Sequence, residues 1–258
     1  MPWNNPAPIG VWFVLGVEAM DLRRFPAPAG VLFPVLFLCG CVVTSDRAGP
    51  ARYEARSFER GSVEELHLDL RMGAGDLKVG TGTSKLAQTY FTYNIDRWKP
   101  EVRYDFQGTR ADLSIRQPRE HGLHFGSNRY EWDLRLSREV PLYLRASFGA
   151  GHAQLDLGSL PLRDVQVDMG VGQLVMDLRG VPKHDYNVRI HGGVGEATLY
   201  LPESAGVYAE ASGGIGSIET RNLQKTGGHW VNEAYQHASV RIRVTVEGGV
   251  GSIRLIGE

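Results

Sequence analysis

Cysteine is nearly absent from this chain, with Cys39 and Cys41 the only two in 258 residues. Two thiols two positions apart make neither a disulfide framework nor a zinc site. Charge of one sign is lacking as well: the net charge is −1, with 28 basic against 29 acidic residues. Phosphate binding needs a basic face, so nucleic acid is excluded as an expected partner. No apolar run is long enough for a permanent membrane-spanning helix. After residue 42 no stretch carries a helical apolar period. The motifs Gly-x-Ser-x-Gly and His-Glu-x-x-His are both missing, which removes two common hydrolytic designs.

Glycine, by contrast, is abundant, with 32 residues. Twelve of them form six pairs: Gly73 and Gly75, Gly149 and Gly151, Gly170 and Gly172, Gly193 and Gly195, Gly214 and Gly216, Gly249 and Gly251. The residue inside each pair is Ala, Val or Ile. Alternating apolar runs flank every pair. Three before the first glycine stand Leu70, Ala146, Val167, Ile190, Ala211 and Val246. Two after the second stand Leu77, Ala153, Leu174, Ala197, Ile218 and Ile253. A period of two marks a strand with one buried face.

A strand turning a sharp corner needs backbone angles that a Cβ resists, which explains the glycines. The middle four pairs are spaced by 21, 23 and 21 residues, a repeat length typical of solenoids. The expected fold is therefore all-β: a single-domain β-solenoid of stacked rungs over 63–258, with Gly-x-Gly corners. A phosphate loop would need a third glycine and a following helix, and neither is present. Residues 82–141 and 222–238 read as insertions. The first contains a hairpin, Val102, Tyr104 and Phe106 returning through Ala111, Leu113 and Ile115. The second reads as a loop over one face, and the strand through Gly249 and Gly251 closes the array.

The N-terminus has a different character. From Met20, a basic opening leads to an apolar run from Val31 to Leu38 and then small residues, the layout of a secretory signal over 1–40. Residues 1–19 fit no such layout, so the expected true start is Met20. Leu38-Cys39-Gly40-Cys41 resembles the lipobox of bacterial lipoproteins, which implies cleavage before Cys41 and lipidation of its thiol by acyl chains such as palmitate. One acyl chain binds a bilayer only marginally, whereas two or three make the anchor permanent. The resemblance favours the outer membrane in a diderm, because Val42 rather than Asp follows the cysteine. Residues 41–62 read as the lipidated cysteine and a flexible tether.

Candidate chemistry is sparse. Asp156 and Asp177 each stand five residues after a second glycine, so they stack on adjacent rungs. They could serve a cation or an acid–base pair, yet only two of six rungs supply an acid. His121 and His124, with His152, fall short of a zinc ligand count. Tyr143 and Tyr200 are out of phase with the buried columns and are expected to be exposed.

Trp132-Asp133-Leu134 through Val140-Pro141-Leu142, followed by Gly149-Ala150-Gly151 with Leu155-Asp156-Leu157 and by the later glycine pairs, resembles the toast-rack family. Those are bacterial domains of unknown function, similar to the C-terminal domain of LiaF-type envelope stress proteins and to candidate auto-transporter adhesin domains. The resemblance implies a β-solenoid in the cell envelope and carries over no catalytic residue, cofactor or metal. LiaF-type proteins precede this domain with membrane helices, and a lipobox stands here instead. The sequence thus points to a non-catalytic, membrane-anchored envelope lipoprotein with an envelope protein or glycan as partner. The alternative is a polysaccharide-binding or polysaccharide-active solenoid using Asp156, Asp177, Tyr143 and Tyr200.

Overall fold

The computed structural model describes residues 49–118 and 129–258. The expected signal over 1–40, Cys41, and the loop carrying His121 and His124 lie outside the described residues. The strands are β1 (Arg52–Phe58), β2 (Glu65–Thr81), β3 (Ala87–Tyr93), β4 (Glu101–Gln107), β5 (Arg110–Arg116), β6 (Tyr130–Leu136) and β7 (Leu142–Asp156). They continue as β8 (Leu162–Asp177), β9 (Tyr186–Leu201), β10 (Gly206–Arg221), β11 (Gln224–Thr226), β12 (His229–Val231) and β13 (Arg241–Gly257).

Six of these strands, β2, β7, β8, β9, β13 and β10, are long and run straight through their glycine pair. Each bends there into two legs. Along β2, Leu66, Leu68, Leu70 and Met72 are buried before the corner, and Leu77 and Val79 after it. The buried set passes from even to odd positions, so both legs turn their apolar sides to one interior. A single hydrophobic cluster contains residues of both legs. Burial of each such side chain contributes about 1.5–3 kcal/mol. Return loops close the third side: Leu157 and Leu178 are buried, and their N–H groups donate to the Asp177 and Tyr200 carbonyls of the next rungs.

The rungs are parallel and stack in register, with Gly75, Gly151, Gly172, Gly195, Gly251 and Gly216 forming one column. Every glycine in that column has φ between 128° and 146°. A Cβ at Gly172 would fall on the carbonyl oxygen of Gly151. Close stacking and backbone angle together therefore demand glycine.

Three features correct the sequence reading. First, β13 does not close the array but lies between β9 and β10, in register with both. The columns of every rung are alike, so any two can be neighbours and sequence order does not dictate spatial order. Second, residues 52–58 of the expected tether form β1, antiparallel to β3. The positions of β1 that share a face with Phe91 are Arg52, Glu54, Arg56 and Phe58, three of them charged, so the apolar alternation that would have revealed a strand is missing. Third, the 222–238 insertion forms the β11–β12 hairpin, with β12 paired on the first leg of β10.

At the start of the stack one rung is split. β5 pairs with the first leg of β2 and β6 with the second. The missing corner is replaced by a side chain and a peptide group. Gln117 Oε1 accepts from the Gly73 and Ala74 N–H groups at 2.6 and 3.1 Å, and the Tyr130 carbonyl sits against Gly75. The two legs then continue separately, the first through β5 to β4 and the second through β6 and β3 to β1.

Candidate interaction surface

The residue inside each glycine pair points away from the core. Ala74, Ala150, Val171, Val194, Val250 and Ile215 are register partners on successive rungs. All six are exposed, Val171 at 54 % and Ile215 at 73 %. The stack thus carries an aliphatic ridge along its spine. The geometry follows from the corner, because two buried faces meeting at a bend leave the apex residue outside.

Polar rows flank the ridge. On the first leg Arg71, Ser147, Asp168, His191 and Glu247 follow one another. His191 Nδ1 lies 3.2 Å from Asp168, and its Nε2 lies 3.7 Å from Glu247. On the second leg the row is Asp76, His152, Gln173, Glu196 and Ser252, with His152 Nδ1 3.2 Å from Asp76. Such exposed pairs are weak individually. They give the ridge a wet, mainly acidic rim.

The stacked carboxylates are neighbours in register, Asp156 beside Asp177. Asp177 is already engaged. Arg179 donates to both its oxygens, from Nε at 3.0 Å and Nη2 at 2.6 Å, and reaches Glu258 through Nη1 at 2.7 Å. Those hydrogen bonds hold the Asp177 carboxyl below its ordinary range. A general acid needs the opposite shift. Tyr143 and Tyr200 are half-buried rather than exposed. Tyr143 stacks on His67 at 4.3 Å, and the Arg179 guanidinium lies 4.7 Å over the Tyr200 ring. Both rings find a partner on the neighbouring rung because a strand face offers long side chains an adjacent partner at each position. Among the described residues no group of three or more His, Cys, Asp or Glu converges as a metal site.

Sequence reasoning missed the direction of the ridge, although its composition was visible. It also missed Glu54. This carboxylate sits on the inward side of the edge strand β1 and is held by Arg56 at 2.7 Å and Lys99 at 3.4 Å. Burial raises its pKa, but the two cations outweigh that and the net shift is downward. An inward charge between alternating polar residues looks like surface sequence, so nothing local marks it.

Comparison with known proteins agrees with this architecture. The N-terminal domain of toast_rack matches residues 47–200, and the C-terminal domain of LiaF, described as cell wall-active antibiotics response, matches residues 149–255. A solved structure from Clostridium sporogenes, described as a candidate cell adhesion protein, is 31% identical, with a TM-score of 0.76. The match covers 81% of this chain and 100% of that one. A candidate adhesin from Parabacteroides distasonis is 10% identical over 81% of this chain and 98% of its own, with a TM-score of 0.31, too distant to support an argument. Among curated proteins none matches the chain. Rung geometry, corner glycines and the match over most of the described residues agree: the chain belongs to the toast-rack family.

Proposed function

We propose that the chain is a non-catalytic, lipid-anchored interaction module of the bacterial cell envelope, contacting its partner along the corner ridge. One observation carries this reading: six aliphatic side chains aligned on successive rungs and turned to solvent. A contiguous exposed apolar patch with a polar rim is a common mark of a contact surface. Scattered exposed aliphatics would carry no such meaning. The matched domain and the Clostridium sporogenes relative, by their descriptions, belong to cell-wall response and adhesion, which supports an envelope setting.

Cys41 supplies the anchor in this reading, with residues 1–40 removed as a signal and residues after Cys41 serving as a short linker.

Two experiments test the reading. A Cys41→Ser chain is expected to lose incorporation of a labelled fatty acid and to leave the membrane fraction. Continued membrane retention without label would exclude the lipid anchor. A Val171→Ser, Val194→Ser, Val250→Ser chain is expected to keep its melting midpoint within a few degrees while losing envelope partners recovered by crosslinking in cells. An unchanged crosslink pattern would remove the ridge as the contact surface.

A further inference from the structure

The β10 end of the stack is unfinished. β12 covers the first leg of β10, with Trp230 buried against the core and Tyr208 and Ala209 paired to Val231 and Trp230. Asn232 fixes that cover: its Oδ1 accepts from the Val207 N–H at 2.9 Å, and its amide donates to the Ala205 carbonyl at 2.7 Å. Beyond Ala209, β10 pairs only with β13 among the described residues. Every residue from Ser212 to Arg221 is exposed. The column that buries Leu77, Leu174 and Ile253 ends in Ile218, which is 36 % exposed.

A second observation lies behind this edge. The position just before each glycine pair is Met72, Phe148 and Met169 on the first three long rungs, all buried. It is Gly192, Gly248 and Gly213 on the last three. None of these three glycines has a positive φ in the range that excludes side chains. A Cβ on Gly213 would meet nothing within 4 Å, and one on Gly192 would come no closer than 3.5 Å to Met169. Neither backbone nor packing among the described residues requires glycine at Gly213 or Gly192, whereas a Cβ on Gly248 would press on the Ile253 side chain at 3.3 Å. The consequence is a cavity of about 80 Å³ between the legs, lined by Met169, Ile190, Val246, Ile253 and Ile218.

The remaining edges are treated differently. β1 carries the Glu54–Arg56 pair on its inward face, a device that blocks strand addition. β11 is three residues long and includes Lys225. On β4, Tyr104 packs on Phe58 with ring centroids 5.2 Å apart. At β10, among the described residues, there is no inward charge and no cover on the second leg, and an apolar cavity lies behind the edge.

We propose that the second leg of β10 is a self-association edge, joined antiparallel to the same strand of a second copy about a two-fold axis at Ile218. The pattern from Ile215 to Arg221 is self-complementary in that register. Ile218 meets the partner's Ile218 on the inward face, and Gly216 meets the partner's Thr220 beside the cavity. Outside, Ser217 meets the partner's Glu219, and Ile215 meets the partner's Arg221. No like charges stand directly opposite, which cross-strand pairing requires. Each Glu219 is already held by Arg254 at 3.4 Å. A head-to-tail stack onto β1 is disfavoured, because it would press Glu54 and Arg56 against Ile218. A two-fold join is isologous and closes, so it yields a dimer rather than a fibre. The inference does not depend on the lipid anchor or on the ridge.

Sedimentation of the full chain in detergent tests it. The wild type is expected to reach a concentration-dependent dimer, and Ile218→Lys to self-associate about a hundred-fold more weakly with its circular dichroism unchanged. Ile218→Cys, which keeps the position apolar should the lysine chain fail to fold, is expected to form an oxidised dimer linked through residue 218. A wild type that stays monomeric at all concentrations overturns the proposal, as does an Ile218→Cys chain that crosslinks no more than wild type. Capture of a foreign strand by a monomeric wild type, lost in Ile218→Lys, also overturns it, by naming a different occupant.

Discussion

The two ends of the rack solve one problem in opposite ways. A stack of rungs must stop, and each terminal rung leaves backbone groups and an apolar column without a neighbour. At the β1 end the chain splits a rung, substitutes Gln117 and the Tyr130 carbonyl for a corner, and adds antiparallel strands to both legs. It finishes with a charge pair on the inward face of the outermost strand. At the β10 end, among the described residues, only the first leg is covered, and the second stops in the middle of its hydrophobic column. The contrast shows that the repeat itself is indifferent to termination. Closure is supplied by residues outside the repeat, and where none is supplied an edge remains.

The largest expected effect contrasts the middle of the stack with its open end. Gly172→Ala places a methyl on the Gly151 carbonyl at φ 142°. We expect a loss on the order of 4 kcal/mol, which lowers the melting midpoint by roughly 10 °C in a domain of this size. Gly213→Ala, with open space and ordinary backbone angles, is expected to change stability by less than about 1 kcal/mol, in the stabilising direction if at all. Equal losses at the two sites would mean that glycine is needed at the open end too, and the cavity would then need another explanation.

A smaller contrast sits within one column. Leu174 is fully buried, and Leu174→Ala is expected to cost about 3 kcal/mol in a denaturant melt. Ile218 occupies the equivalent position on the last rung, where Ile218→Ala should cost under about 1 kcal/mol in the monomer. If the two costs converge at high protein concentration, Ile218 is buried by a second copy under those conditions.

The smallest effect concerns pH. The Asp177 carboxyl, engaged by Arg179, is held below its ordinary value of 3.8. Its contribution is therefore complete above that value and is lost as pH falls through the lower folded value. Asp177→Asn is expected to flatten the acid limb of the stability curve slightly while leaving the neutral plateau nearly unchanged, since the pair is partly exposed. An unchanged acid limb would show that the Arg179 contact is absent in solution.

The stacked rungs were legible because one physical demand repeats. Leu70, Val167 and Val246 must alternate with polar residues to keep a face dry, and Gly75, Gly172 and Gly251 must lack a Cβ where rungs touch. β1 was not legible, since Glu54 and Arg56 stand where an apolar pair would have announced a strand. Tyr143 and Tyr200 were read as exposed from phase alone, but rings on the outer face found cover in His67 and Arg179 across the rung boundary.

The chain alone determined an all-β stack, the position of every corner and the apolar identity of the ridge, because local steric and burial demands are written residue by residue. Tertiary structure alone decided that β13 slips between β9 and β10, that the ridge faces solvent, and that one leg of β10 stays open. Interchangeable rungs satisfy the same local rules in any order, so only the competition among whole arrangements selects which neighbour each one receives.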